Sequence, residues 1–205
     1  MTFFRERPIK TLFSQIERSI FNNIDSYSEA TLLNLDTENA TDSLLQTNKF
    51  KIPILQKERI TSSIVSEKLS GFQMPGLTTF RSGQTFDVDS AVYNIPFEGN
   101  SDFFSFIPSE ISLTKLQGDV LNTSITITLS KYEKIIGNDK NITEINDAII
   151  KIVDEIEKSL QVLENDLKKF MEELRPKITS YLKPRIEESK SKNKTEDLLN
   201  PFKKK

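Results

Sequence analysis

The 205-residue chain contains no cysteine and no histidine. Without these side chains it can form no disulfide, no zinc finger, no thiol nucleophile and no histidine-based catalytic triad. It also has no Walker loop and no G-x-G-x-x-G segment, which are common phosphate-binding loops. We therefore expect a protein that is not an enzyme and that binds no cofactor and no metal ion.

Long apolar runs are missing as well. No stretch approaches the roughly 20 apolar residues that span a bilayer. Charged residues interrupt the N-terminal sequence Met-Thr-Phe-Phe-Arg-Glu-Arg-Pro before the apolar core of a signal peptide could form. We expect a cytoplasmic protein with no membrane partner. The formal net charge is −2, so the overall charge does not favour a nucleic-acid partner.

Glycine is scarce, and its placement divides the chain. All six glycines lie between Gly71 and Gly137. Because glycine serves turns and weakens helix interiors, we expect strands and turns in the middle and helices on both sides. The predicted parts are an N-terminal helical segment over 1–55, a central β-domain over 56–135, a long C-terminal helix over 139–188 and a Lys-rich flexible tail over 189–205.

The central part shows the patterns of short strands. Isoleucine and leucine alternate with serine and threonine over 124–130, which is typical of a strand with one buried face. Residues 86–97 are also expected to be extended, with Pro96 at an edge or at the end of the strand. A further short strand is expected at 111–113, and Met-Pro-Gly at 74–76 predicts a turn.

Helical spacing is clear on both sides of the central part. Pro8 can begin a helix, after which apolar residues follow helical spacing. Between Ile145 and Tyr181 apolar residues recur about every 3.6 residues, the period of a straight α-helix. Pro176 and Pro184 are expected to kink or end this helix. The helix can pack through its apolar stripe in the core of its own chain, or it can pair with another chain as a coiled coil or helical bundle. The second interpretation includes a homo-oligomer, and the sequence leaves both interpretations open.

Together these patterns predict an α+β fold. It comprises N-terminal helices, a central antiparallel sheet or small sandwich, and a long kinked C-terminal helix.

Carboxylates are the only catalytic acids or metal ligands present in number. Asp87 and Asp89 lie two residues apart on the expected strand and so share a face. Glu98 and Asp102 lie on either side of Gly99. The alternative function is therefore a divalent-metal-dependent hydrolase or nuclease that uses these acidic residues. The sequence shows no combination of Asp or Glu with Lys at the spacing that nucleases use. The hydrolase or nuclease is therefore the second hypothesis.

Phenylalanine is abundant, with fourteen in the chain. Four of them cluster near Gly99 and form either a core seam or an exposed rim for a partner. The lysines of the tail favour a solubilising role over contact with nucleic acid, because no aromatic stacking surface accompanies them. The tail also contains a short apolar segment that can dock onto a partner. The residues expected to bind a partner are Phe97, Phe103, Phe104, Phe106, Leu160, Leu167, Leu174, Leu198, Leu199 and Phe202.

Three segments resemble one bacterial protein family. The stretch Tyr93-Asn94-Ile95-Pro96-Phe97-Glu98-Gly99-Asn100, followed by Phe103-Phe104-Ser105-Phe106-Ile107-Pro108-Ser109, resembles its motif "I-P-F-x-G-(D/N)" with "L/F-F-x-x-x-P-S". Residues 49–55 and 198–205 are similar to its aromatic-basic-aliphatic-Pro-Leu stretch and to its Pro-basic ending. Members are associated with anti-phage defence loci and are sometimes fused to a Toll/interleukin-receptor effector domain.

The resemblance implies a partner and no chemistry. This chain stops just after the Pro-basic ending, so the resemblance implies that an effector is a separately encoded polypeptide. It carries over no catalytic residue. We therefore expect a non-enzymatic interaction or regulatory subunit that binds a partner effector in a bacterial anti-phage defence complex.

Overall fold

The computed structural model describes residues 1–73, 79, 81–110, 116–131 and 134–199. Its helices and strands confirm the predicted α+β fold, with N-terminal helices, a central antiparallel sheet and a long C-terminal helix. The helices within the described residues are α1 (Ile9–Asp25), α2 (Glu29–Asn34), α3 (Thr37–Thr47) and α4 (Asp139–Leu199). The strands are β1 (Arg7–Pro8), β2 (Ile54–Leu55), β3 (Thr61–Ser70), β4 (Thr85–Glu98), β5 (Phe106–Ile107), β6 (Asp119–Val120) and β7 (Ser124–Lys131). The strand predicted at 111–113 and the turn predicted at 74–76 lie outside these residues.

The chain divides into two compact units. The β unit comprises residues 1–7 and 51–163, and the helical unit comprises residues 8–50 and 164–205. The predicted segments 1–55 and 139–188 are therefore each divided between the two units. Segments drawn from local composition differ from these units because packing joins residues that are far apart in sequence.

An antiparallel sheet around strand β4 forms the centre of the β unit. One side of β4 pairs with β7, and β6 pairs with β7 beyond it. The other side of β4 pairs with β3 and, at its C-terminal end, with β2. Strands β1 and β5 form a separate two-stranded sheet. Among the described residues, the centre is thus the antiparallel sheet that the sequence predicted, with five strands.

The alternation of side chains along β4 and β7 places apolar residues on one face of this sheet. Ala91 on β4 lies opposite Leu129 on β7, and Tyr93 occupies the same face. These three side chains pack with Ile135 and Ile145, which precede and begin the apolar stripe of α4. Burial of one sheet face against the start of α4 therefore forms part of the core of the β unit.

Pro96 lies inside the central strand, two residues before its end. The amide N–H of Phe97 donates to the carbonyl of Thr123 on the β7 side, 2.9 Å away. The neighbouring position faces the other way, where the carbonyl of Pro96 accepts from the amide of Gln56 at 2.8 Å. The absent N–H of Pro96 is thus on the side of β4 that carries β2, between its pairings with β3 and β2. A proline is tolerated where no ladder donor is required.

Helix α4 is longer than the sequence predicted. It runs without interruption from Asp139 to Leu199, with Pro176 and Pro184 inside it. Residues 189–199 therefore continue the helix rather than forming a flexible tail, and neither proline ends it. A helical proline removes one hydrogen bond and crowds the preceding turn. The fully buried stripe on either side of both prolines offsets that cost.

A buried apolar stripe runs along α4 from Ile145 to Ile186. Its apolar members with at most 8% exposure are Ile145, Ile149, Val153, Ile156, Leu160, Leu163, Leu167, Phe170, Leu174, Ile178, Leu182 and Ile186. Tyr181, where the predicted stripe ends, is instead 38% exposed and donates its hydroxyl to Asp25 at 2.8 Å. Leu182 takes the buried position, which lets the stripe continue for another turn.

In the helical unit, α1 runs alongside residues 170–185 of α4. Phe13 stacks on Phe170 with ring centroids 4.3 Å apart. Further along both helices, three pairs are each separated by 160 residues: Glu17 with Lys177, Phe21 with Tyr181 and Asp25 with Arg185. Because residue numbers rise together along both helices, they run parallel. This part of the α4 stripe therefore pairs with a helix of its own chain.

Candidate interaction surfaces

The four phenylalanines near Gly99 form core and not an exposed rim. Phe104 is fully buried, and its ring centroid lies 5.9 Å from that of Phe3, 6.1 Å from Phe4 and 4.9 Å from Phe97. The expectation that Phe97, Phe103, Phe104 and Phe106 bind a partner is wrong, because exposure of each is at most 5%. Their side chains instead pack the N-terminal residues against strand β4 and the segment that follows it.

The neighbouring motif residues have structural roles. Gly99 has φ +129°, and a β-carbon there would lie 2.7 Å from the carbonyl oxygen of Ile52. The amide of Asn100 donates to Lys51 O at 2.8 Å. Its side-chain oxygen accepts from the amide of Asp102 at 2.9 Å and begins a short 3-10 helix at Ser101–Ser105. This turn places the phenylalanines that follow it in the core.

Asp89 is a buried carboxylate with structural partners. Its Oδ1 accepts from the Ser66 hydroxyl at 2.6 Å, and its Oδ2 accepts from the Ile135 amide at 2.7 Å. The hydrogen bond from Ser66, followed by that from Ile135, lowers the pKa of Asp89 below its ordinary value of 3.8. Asp89 therefore joins strand β3 to the segment that leads into α4.

The other acidic candidates are exposed and do not join Asp89 in a site. Asp87 and Asp102 lie at the surface. The Glu98 carboxylate is paired with Lys51 at 3.3 Å and with the side-chain amide of Gln56 at 2.8 Å. In the described part of the chain, no three acidic side chains are grouped so that they could hold a metal ion. The arrangement gives no geometric support to the metal-dependent hydrolase hypothesis.

The predicted partner-binding leucines fall into two groups. Leu160, Leu167 and Leu174 are buried within the chain, with at most 8% exposure. The expectation that they bind a partner is wrong, because they belong to the buried stripe of α4. Leu198 and Leu199 are 78% and 76% exposed. Phe202 lies outside the described residues.

The last turns of α4 present a face of mixed character. Lys190, Lys194 and Leu198 are spaced at i, i+4 and i+8 and so lie on one side of the helix, and Leu199 lies about 100° further round the helix. We call these four residues the C-terminal docking face. Both lysines are exposed. Lys192, which lies between them in sequence, is instead tied to Glu29 by an ion pair at 2.9 Å.

Strand β3 is an exposed edge that the sequence analysis did not single out. It pairs with β4 along its whole length, and no strand of the described ranges pairs with its other side. Residues 61–68 are all exposed. The β-branched residues Thr61, Ile64 and Val65 are the signal that could have identified this strand from the sequence.

No helix among the described residues is both long enough and apolar enough to cross a membrane.

Comparison of the chain with protein-family models, with curated proteins and with solved structures gives no match.

Proposed function

We propose that the protein is a non-enzymatic interaction subunit whose C-terminal docking face holds a separately encoded effector protein. The observation that carries the proposal is the exposure of two adjacent leucines, Leu198 at 78% and Leu199 at 76%, at the end of a helix. The leucines of the α4 stripe that were expected to bind a partner, Leu160, Leu167 and Leu174, are buried within the chain.

Exposure of both leucines leaves a considerable burial energy unused. Burying one leucine side chain contributes about 1.5–3 kcal/mol, so the pair can contribute roughly 3–6 kcal/mol to an interface. Single exposed apolar residues are ordinary on protein surfaces. Leu198, on the same side of the helix as the exposed lysines Lys190 and Lys194, forms with them a small amphipathic surface of the kind that enters a groove, and Leu199 extends the apolar area round the helix.

The charges define the chemistry of the partner. Lys190 and Lys194 precede Leu198 along the same side of the helix and are exposed. An effector that fits this face has an apolar groove for the leucines and acidic residues along the rim that meets the lysines. Opposite charge at such a rim speeds association and fixes orientation more than it adds affinity.

The family resemblance supports the biological setting of this proposal. It implies a cytoplasmic bacterial defence complex in which the effector is a separate polypeptide. Under this proposal the chain positions the effector and performs no chemistry of its own.

The test is co-purification of the tagged chain with the products of its neighbouring genes. The variant Leu198→Ser/Leu199→Ser should lower affinity for the captured effector at least about 100-fold, since it removes most of the buried apolar area. Ile150→Ser is the matched control, because Ile150 is a 58% exposed apolar residue on the same helix, and it should leave binding unchanged.

Two results would overturn the proposal. One is a wild-type chain that captures no product of a neighbouring gene. The other is equal capture by the leucine variant and by the control.

A further inference from the structure

We propose that two copies of the chain pair through the free edges of their β3 strands, so that their sheets join into one antiparallel sheet. The occupant of this edge is a second copy of the chain. The inference concerns a different unit and a different surface from the C-terminal docking face, and either can fail without the other.

The backbone of β3 has donors and acceptors directed to the outer edge. In an antiparallel ladder, alternate residues bond to the partner strand and the residues between them point away. The amide of Gly71 donates to Gln84 O at 3.2 Å, one position beyond the pair of Ser70 with Thr85. Counting back by twos, the odd-numbered residues of β3 bond to β4. The residues with outward N–H and C=O groups are Ser62, Ile64, Ser66 and Lys68.

The hydrogen bonds that β4 makes on its two sides agree with this alternation. Its odd-numbered Phe97 donates toward β7, to Thr123 O, whereas its even-numbered Pro96 accepts on the opposite side. Even-numbered residues of β4 therefore face β3, and each is paired with an odd-numbered residue of that strand. The assignment of the outward groups thus follows from two independent hydrogen-bond positions.

A two-fold axis perpendicular to the sheet matches these groups to each other. Such an axis places two β3 strands antiparallel and sets even-numbered residues opposite even-numbered residues. With the axis at Val65, Ile64 lies opposite Ser66 of the second copy and Ser62 lies opposite its Lys68. Every outward N–H and C=O from 62 to 68 then has a backbone partner in the other copy.

The charge pattern of β3 is compatible with its own copy. Its charged residues are Glu67 and Lys68. In the pairing centred on Val65, Glu67 lies opposite Ser63 and Lys68 lies opposite Ser62, so no like charges oppose each other. Only a pairing centred on Glu67 or Lys68 would place identical charges together.

Most of this edge lacks the usual protection against pairing, and the one lysine of β3, Lys68, lies near the end of the strand. Proteins commonly guard long exposed edges with lysine, proline or a bulge. Residues 61–66 contain no charge and no proline, and the register of β3 on β4 is continuous over ten residues. Ile64 and Val65, at the centre of this stretch, are 46% and 50% exposed.

The first measurement is the mass of the purified full-length chain over a range of concentrations. Wild type should reach twice the 23.5 kDa of one chain. Ile64→Pro removes an outward N–H and leaves the ladder to β4 intact, so it should raise the dimer dissociation constant at least about 100-fold. Ile64→Thr keeps the N–H and the strand propensity and should remain a dimer. Wild type that is monomeric throughout, or Ile64→Pro that still forms the dimer, would overturn the proposal.

Two further measurements test the proposal without Ile64→Pro, in case that variant does not fold. Ile64→Lys places a charge at this exposed edge and should also give monomers. Amide hydrogen exchange of the wild type should show concentration-dependent protection of Ser62, Ile64, Ser66 and Lys68, while the odd-numbered amides stay protected at all concentrations. Even-numbered amides that exchange freely in a dimer would place the interface elsewhere. The leucine variant of the docking face should remain dimeric.

Discussion

The β unit and the helical unit are stabilised in different ways. The β unit contains single positions with narrow requirements, such as Gly99 against the backbone of Ile52 and the Asp89 carboxylate between Ser66 and Ile135. The helical unit repeats one kind of contact along α1 and α4, from Phe13 on Phe170 to Asp25 with Arg185. A sheet built from distant strands needs exact close approaches, whereas two parallel helices distribute their contacts over several turns.

This difference predicts where substitutions are costly. A change at one of the special positions in the β unit should destabilise that unit strongly. A change at one of the exposed ion pairs in the helical unit should cost little, because the neighbouring contacts of α1 with α4 remain.

Gly99→Ala should have the largest effect. Its β-carbon would lie 2.7 Å from Ile52 O and 2.8 Å from the Cα of Pro53, at φ +129°. We expect a loss of about 3 kcal/mol or more in the free energy of unfolding, from strain and overpacking together. Gly137→Ala is the control, since Gly137 has φ +76° with nothing within 4 Å, and should cost about 1 kcal/mol. Equal costs in a denaturant titration would contradict the close approach at Gly99.

Asp89→Asn should have the next effect, and it should depend on pH. The hydrogen bonds from Ser66 and Ile135 lower the pKa of Asp89 in the folded state. A depressed folded pKa contributes stability that is fully present above the unfolded value of about 3.9 and is lost as pH falls through the folded pKa. The variant should therefore melt at a lower temperature than wild type at pH 7, and the difference should shrink below about pH 3.9.

Melting curves of both proteins between pH 2 and pH 7 measure this difference. The control is Asp87→Asn, because Asp87 is exposed on the same strand and should behave like wild type. A difference in melting temperature between Asp89→Asn and wild type that stays constant with pH would contradict the prediction, because it would mean that the negative charge of Asp89 does not contribute to stability.

Lys177→Ala should have the smallest effect. The ion pair between Lys177 and Glu17 is 2.9 Å long, and the lysine side chain is 53% exposed. Exposed pairs contribute about 0.2–1 kcal/mol, and the neighbouring contacts of α1 with α4 remain in place. We expect a loss below about 0.5 kcal/mol at moderate salt, measured by denaturant titration. A loss comparable to that of Gly99→Ala would mean that the helical unit, too, depends on single positions.

Local pattern predicted the elements that local interactions determine. The alternation over 124–130 located β7, and the helical spacing after Pro8 located α1. The same reasoning ended α4 near residue 188, because lysines cluster beyond that residue and such a segment is typical of a flexible tail. Beyond residue 188, Ser189 is buried and Lys192 pairs with Glu29, and these contacts depend on residues that are distant in sequence.

The candidate site was harder to predict than the fold. Phe104 and Leu198 are both apolar residues close to charged or polar neighbours, and sequence spacing does not separate the buried one from the exposed one. Phe104 is covered by Phe3 and Phe4, about 100 residues away in sequence, a contact that no local pattern encodes. The free edge of β3 was missed for a related reason, since an edge is defined by the strand that is not beside it.

The pairing of α1 with α4 also sets an order of events during synthesis. Glu17 and Lys177 are 160 residues apart, and ribosomes add about 5–20 residues per second. The apolar stripe of α1 therefore emerges on the order of 10 s before the part of α4 that covers it. Helices form within about a microsecond, so α1 can be helical throughout this interval with its apolar side exposed. The apolar side of α1 is thus uncovered from the completion of α1 at Asp25 until residues around Lys177 are made, and this is the interval in which misassociation through α1 is most favoured.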